Sequence, residues 1–202
     1  MDGVSQDDYR DRYKSKTTPW DIGRPDYNLV DIVGKRPIEK CNALDLGCGS
    51  GHNSIWLAQQ GFTVTGVDVS EIAVQKAKEN GERARVGCTF LLLDFFEEDI
   101  PGLPFNFIFD RGCFHSYGTD DERSKFAERA AYHLGEAGLW LSLVGSADQP
   151  PGILGPSRRS ARDIVVAAES LFEILSLTAI RFDSNFQNPS KAWACLMKKR
   201  SE

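Results

Sequence analysis

The 202-residue sequence has no apolar run that approaches the roughly 20 residues a membrane span needs; residues 90–93 are typical of its longest. It also has no long basic run. The net charge is −5, and the one local cluster, Arg158-Arg159 with Arg162, is too small to make the footprint that nucleic acid demands. The five cysteines (Cys41, Cys48, Cys88, Cys113 and Cys195) are odd in number and form no C-x-x-C pair, which argues against a zinc ribbon or a dithiol redox site and for free thiols. The first residues are polar and acidic, with no apolar signal-peptide core. No internal repeat or low-complexity linker is visible. These absences lead us to expect a cytoplasmic protein with neither a membrane nor a nucleic-acid partner, as a monomer or weak homodimer.

What is present is an ordinary globular composition, 41% hydrophobic and 26% charged. Short apolar runs alternate with amphipathic stretches, a pattern that predicts β-α units and a mostly parallel sheet. Strands are expected at residues 41–46, 62–67, 88–93, 105–109 and 139–144, and a closing antiparallel hairpin at 172–182 and 192–199. Helices are expected at 53–60, 71–80, from Asp120 or Asp121 to about 134, and at 160–170. Residues 1–40 are expected to pack as a helical or irregular segment on a 41–202 core, the whole forming one domain. A loop with Pro150, Pro151, Gly152, Gly155 and Pro156 is expected to be mobile.

The chemistry begins at Asp45-Leu46-Gly47-Cys48-Gly49-Ser50-Gly51, between a buried strand and a helix. Glycines there allow unusual torsions and let a ligand lie against the main chain. Asp68 closes the second strand, 19 residues after Gly49, where a carboxylate reaches the two ribose hydroxyls of a nucleotide lying across the turn. Asp94 closes the third strand, so that it or the Phe95 amide faces the base. A dinucleotide site, as in an NAD-type dehydrogenase, is the rival reading. Its G-x-G-x-x-G fingerprint fails here, because the third position after Gly49 is His52.

The stretch ALDLGCGSGHNSIWLAQQGFTVTGVDVSEIAVQKAKEN resembles the first motif and second strand of the class I S-adenosylmethionine (SAM) dependent methyltransferases, a likeness that runs over about residues 40–145. It implies a Rossmann-like three-layer α/β sandwich, with a seven-stranded sheet whose last strand is antiparallel. SAM is the implied cofactor and S-adenosylhomocysteine the product. The glycines are expected against the amino-acid end of SAM, Asp68 at the ribose and Asp94 at adenine, with Asp45 suited to the cofactor's ammonium. The expected cofactor set is Asp45, Gly47, Cys48, Gly49, Gly51, Asp68, Val69, Asp94 and Phe95, joined by Arg111 and Trp20.

The segment Asp110-Arg111-Gly112-Cys113-Phe114-His115-Ser116-Tyr117 follows the fourth strand and is expected to face the transferable methyl. It has no N-P-P-Y or D-P-P-Y run and no paired aspartates, which speaks against amide or amino methylation of bases and against a catechol-type magnesium site. No metal is expected. His115 is the candidate general base, needed for an oxygen or amine acceptor but not for a thiolate. Upstream, Tyr9, Tyr13 and Trp20 cluster near Thr18-Pro19-Trp20-Asp21-Ile22-Gly23-Arg24-Pro25, a stretch that resembles the N-terminal lid of the thiopurine, tellurite and thiol methyltransferase group. The expected substrate set is Tyr13, Arg24, Cys113, Phe114 and Tyr117. The expectation is methyl transfer to a small molecule such as a thiol, thiopurine or chalcogen oxyanion. A non-catalytic SAM-binding protein is the alternative.

Overall fold

Strand β4 (Phe105–Arg111) shows how the sheet is made. Phe107 and Phe109 point to one face and Ile108 and Asp110 to the other, and all four are fully buried. A strand apolar on both sides belongs in the middle of a sheet covered by helices on each face. The computed structural model describes residues 6–15, 17–36, 38–150 and 157–201. The prolines and glycines expected in a mobile loop at 151–156 lie outside the described residues, as do side-chain contacts of Tyr9.

Seven strands pair in the order β3-β2-β1-β4-β5-β7-β6. They are β1 (Asn42–Leu46), β2 (Thr63–Asp68), β3 (Cys88–Leu92), β4, β5 (Leu134–Gly145), β6 (Phe172–Arg181) and β7 (Lys191–Lys199). The first five run parallel, as the alternation of the sequence implied, and β7 lies antiparallel between β5 and β6, in line with the expected closing hairpin and antiparallel last strand. Strand order reverses between β1 and β4, the place where open α/β sheets form a ligand crevice at the carboxyl ends of their strands.

Helices α5 (Asp120–His133) and α6 (Ala161–Ala168) cover one face. Phe126, Ala127 and Ala130 of α5 and Ile164 and Ala168 of α6 pack with Leu44, Ile108, Trp140 and Val144. Each of these helices starts in a capping box, Thr119 with Glu122 and Ser160 with Asp163, which satisfies N–H groups a helix end leaves unpaired. Helices α2 (Tyr27–Lys35) and α3 (His52–Gln59) cover the other face, where Leu29, Val33 and Leu57 meet Ala43, Phe107, Phe109 and Leu141. Helix α1 (Gln6–Lys14) and α4 (Glu71–Ala84) contact each other. Full burial of one large apolar side chain stabilises by roughly 1.5–3 kcal/mol, so these layers dominate the folding energy.

Two boundaries differ from expectation by more than two residues. Helix α4 continues past Asn80 because Gly81 packs under Phe90, and it ends only where Arg85 turns left-handed at φ 54°. Strand β5 begins at Leu134, directly after α5, rather than at Leu139. Among the described residues no helix is long and apolar enough to cross a membrane.

Candidate active site

After β1 the chain turns through Gly47, Gly49 and Gly51, whose φ angles of 63°, 56° and 82° favour glycine. A Cβ on Gly47 would collide with the Cys113 sulfur, and one on Gly49 would stand 2.8 Å from the Tyr13 hydroxyl. The turn is held from β2: the Cys48 N–H donates to the Val67 carbonyl at 2.9 Å, and the Gly49 N–H to Asp68 Oδ2 at 2.9 Å. The Ser70 N–H donates to Asp68 Oδ1 at 2.8 Å. Each carboxylate oxygen keeps a lone pair for a further donor such as a ribose hydroxyl. Burial raises the Asp68 pKa, and these backbone N–H groups oppose the rise.

Beside this pair lies a cavity of about 430 Å³ lined by Arg10 and Lys14 of α1, Val69 to Ile72 after β2, Leu92 to Asp94 at the end of β3, and Glu98. Ile72 and Leu92 are apolar yet 37% and 54% exposed, as walls of a slot for a flat apolar ring would be. Asp94 Oδ1 accepts from the Phe96 N–H, and the Asp94 N–H goes to Glu98. The Phe95 ring is buried against Phe126, whereas its N–H meets no acceptor among the described residues. The backbone of Phe95, not its ring, is therefore the group available to a base edge. An adenosyl group fits these residues: a carboxylate for the diol, an apolar slot, and a free N–H beyond it.

Asp45, expected to meet an ammonium, is instead turned into the protein. Its Oδ2 accepts from Ser54 Oγ of α3 at 2.6 Å, and burial raises its pKa to about 7. It anchors the start of α3 beneath the glycine turn. Cys48 is buried in the small cluster of Ile55, Val74, Ala77 and Phe90.

On the other side of the crevice the residues after β4 take roles that differ from those expected. Arg111, expected at the cofactor, spends its guanidinium on protein groups. Its Nε donates to Asp26 Oδ2 at 2.6 Å, Nη1 to the Trp20 carbonyl at 3.3 Å and Nη2 to the Asp183 carbonyl at 2.7 Å, while the guanidinium lies 5.0 Å from the Phe182 ring. Arg24, expected to bind substrate, forms a fork on Asp183, with Nη2 to Oδ1 at 2.6 Å and Nε to Oδ2 at 3.2 Å, and also reaches Asn185. Phe114 belongs to the core, edge-on to Phe126 and Trp140. The Cys113 thiol faces the Leu46 carbonyl at 3.3 Å, and burial holds its pKa well above the ordinary thiol value, so it is packing rather than a nucleophile. The Tyr117 ring stacks on Phe96 at 4.5 Å, and its carbonyl accepts from Arg159.

His115 is buried, and its Nδ1 accepts the Gly145 N–H at 2.8 Å, which leaves the ring proton on Nε2. Burial first, then Arg159 and Arg111, push its pKa down to about 3. A group that neutral in the folded state, with its free nitrogen already protonated, does not accept a proton near neutral pH. The general-base expectation is corrected: His115 fixes the end of β5 against the turn after β4.

The upstream segment does meet the turn. Tyr13 is 3% exposed, lies over Gly49, and its hydroxyl accepts from Trp20 Nε1 at 3.3 Å. This places Tyr13 against the glycine turn. Ser50 Oγ donates to Asp21 Oδ1 at 2.7 Å, and the Asp26 N–H donates to Asn53 Oδ1 at 2.9 Å. Sequence reasoning missed Asp21, Asp26 and Asp183 as the anchors of this wall. Asp26 carries a signal, since it precedes the amphipathic α2 and caps it through the Asn28 N–H. Asp183 carries none. Among the described residues no group of histidine, cysteine or carboxylate side chains is placed to hold a metal ion.

Comparison with known proteins finds a domain match that spans this turn. Residues 43–138 match the methyltransferase domain family. The chain is 29% identical, over 73% of its length and 66% of the relative's, to a 2-heptyl-1-hydroxyquinolin-4(1H)-one methyltransferase of Mycobacteroides abscessus. It is 28% identical to a probable thiol methyltransferase 2 of Arabidopsis thaliana, over 69% of its own length and 62% of that protein's. The chain thus spans less than two thirds of these curated relatives. Among solved structures, the 1,6-didemethyltoxoflavin-N1-methyltransferase of Burkholderia thailandensis, with bound 1,6-didemethyltoxoflavin and S-adenosylhomocysteine, superposes with a TM-score of 0.79 at 17% identity, covering 97% of this chain and 87% of that one.

Proposed function

We propose that this chain, whose residues 43–138 match the methyltransferase domain, is a class I SAM-dependent methyltransferase that methylates a small molecule able to ionise by itself near neutral pH, such as a thiol, thiopurine or chalcogen oxyanion. The observation that carries the reading is the bond from the Gly49 N–H to Asp68, beneath Tyr13 and beside the cavity of Val69 and Asp94. It makes one surface of a bend, a diol acceptor and an apolar slot, the three features an adenosyl amino acid needs.

When bound, SAM supplies a methyl group on a positively charged sulfur, an electrophile that needs no further activation. The chain's residues then hold and exclude. Asp68 takes the ribose, the Phe95 N–H and the Ile72 and Leu92 walls take adenine, and Tyr13 with Trp20 keeps water from the bend. Arg111 fixes the Trp20–Asp26 wall on the acceptor side. Alignment of this kind reaches effective molarities on the order of 10⁵–10⁸ M in favourable cases.

The acceptor class follows from proton chemistry. His115 is spent on the Gly145 N–H, and Asp45 and Asp110 are buried and bonded to Ser54 and Trp140. With none of these serving as a base, an acceptor that ionises by itself is favoured over a neutral amine or alcohol. The named activities of the relatives, on a hydroxyquinolone and on thiols, support the same class.

Two measurements test the reading. Calorimetry should detect saturable binding of SAM and S-adenosylhomocysteine and none of NAD(H). Transfer of labelled methyl should reach thiols, thiopurines or selenite and tellurite, with rates that track the ionised fraction of the acceptor. Binding without transfer to any of these, or to amines and phenols, would support the non-catalytic alternative.

A further inference from the structure

Tyr13 holds a hydrogen-bond donor that the protein itself does not use. The side chain is 3% exposed, and its oxygen accepts from Trp20 Nε1. Its own O–H donates to no acceptor among the described residues. A buried hydroxyl proton without a partner costs about 1–3 kcal/mol, so its position calls for an explanation. The hydroxyl lies over the bend, 2.8 Å from where a Cβ on Gly49 would stand. Atoms of a ligand lying against Gly49 are therefore within its reach.

The kind of group follows from what the hydroxyl still offers. It already accepts one hydrogen bond, and what remains is donation, which an ammonium cannot answer and a carboxylate can. The surroundings hold charges of both signs. Lys76 stands 5.5 Å from the Tyr13 ring centre and Arg12 stands 5.7 Å from that of Trp20. Burial, with Asp68 and Asp21 nearby, raises the phenol pKa, so the proton stays on oxygen at any physiological pH.

We propose that Tyr13 is a cofactor-binding residue, whose O–H donates to the α-carboxylate at the amino-acid end of SAM or S-adenosylhomocysteine where that end lies against Gly49. The proposal rests on the SAM reading above and adds to it a ligand contact from α1, outside the matched domain. It also gives α1 a reason to dock on the glycine turn, alongside the bond from Arg10 Nε to the Val69 carbonyl at 3.1 Å.

The test is a cycle between protein and ligand, read by calorimetry on the full chain. Tyr13→Phe removes the donor and keeps the ring against Trp20 and Lys76. Decarboxylated SAM removes the acceptor and needs no mutation. We expect Tyr13→Phe to bind SAM roughly 10- to 100-fold more weakly, the range for a hydrogen bond to a charged group. We expect it to bind decarboxylated SAM as the unmutated chain does, the sign of a direct pair. Equal SAM affinity in the two proteins would overturn the proposal, as would equal weakening toward both ligands, which marks a structural role. If Tyr13→Phe unfolds, the unmutated chain still decides: equal affinity for SAM and decarboxylated SAM overturns the carboxylate contact. Absence of any SAM binding by the unmutated chain would remove the SAM reading itself and this contact with it.

Discussion

Gly49 and Asp68 are joined by a 2.9 Å hydrogen bond from main chain to carboxylate, which locks the bend after β1 to the end of β2. One side chain thus shapes the glycine turn, and in the proposed function the same side chain takes the ribose. Asp68→Ala should weaken SAM binding by about 1–3 kcal/mol, because it removes an acceptor from buried donors. Calorimetry checks this, and unchanged affinity would end the ribose role.

Gly49→Val should abolish cofactor binding while circular dichroism still reports a folded chain. The new side chain meets the Tyr13 hydroxyl and sits at φ 56°, a strain confined to the turn. Retained affinity in this variant would show that the ligand does not lie against the bend.

Arg111→Ala should lower stability by roughly 3 kcal/mol, because it leaves Asp26, whose side chain is fully buried, without its cation. Arg111→Lys keeps the charge but not the three-way fork to Asp26, Trp20 and Asp183. We expect the lysine variant to bind S-adenosylhomocysteine normally and to show a raised KM for the acceptor. A loss confined to cofactor affinity would return Arg111 to the cofactor site.

His115→Gln should leave the pH profile of kcat/KM unchanged in shape, with its rise set by ionisation of the acceptor. Loss of an inflection near pH 6–7 in the variant would restore the base role.

Stability should carry the signature of His115 instead. Its folded pKa of about 3 lies below the ordinary 6.5, so on acidification the unfolded chain takes up a proton that the folded chain refuses. The contribution is fully present above pH 6.5 and is lost by up to about 1.4 kcal/mol per unit as pH falls from there toward 3. Asp45 and Asp110, raised to about 7 and about 6 by burial, act oppositely: their penalty above pH 7 is relieved as pH falls toward 4. The wild-type curve therefore mixes the two. The difference between wild type and His115→Gln isolates the histidine, and urea unfolding should show it narrowing by about 1 kcal/mol between pH 7.5 and 5.5. A constant difference would mean that the ring is not buried as a neutral group.

The parts legible in the sequence were those set by local rules. Residues 105–109 announce a central strand by being apolar on both faces, and Ser70 and Asp120 mark helix starts to within a residue. The glycine turn and its link to Asp68 were legible because the bend is built from torsions and a fixed spacing. The acceptor side was not. Arg111 meets Asp26 and Asp183 across 85 and 72 residues, and nothing near Arg111 in sequence says which carboxylate it will find. Phe114 and His115 read as site residues because they follow a strand end, yet the 3-10 turn they form rolls both inward. His133 has no signal in the sequence either. It lies at the end of α5, fully buried, and takes the Ile100 N–H on Nε2.

The Arg111 fork has a consequence for how such a chain diversifies. Both segments it gathers, around Trp20 and around Asp183, lie outside the span that makes the glycine turn. Insertions or exchanges around Asp183 can reshape that wall without touching the glycine turn, provided the guanidinium keeps a carboxylate and two carbonyls to grip. The Trp20 stretch has no such freedom, because the same few residues also hold Tyr13 and Ser50 at the bend.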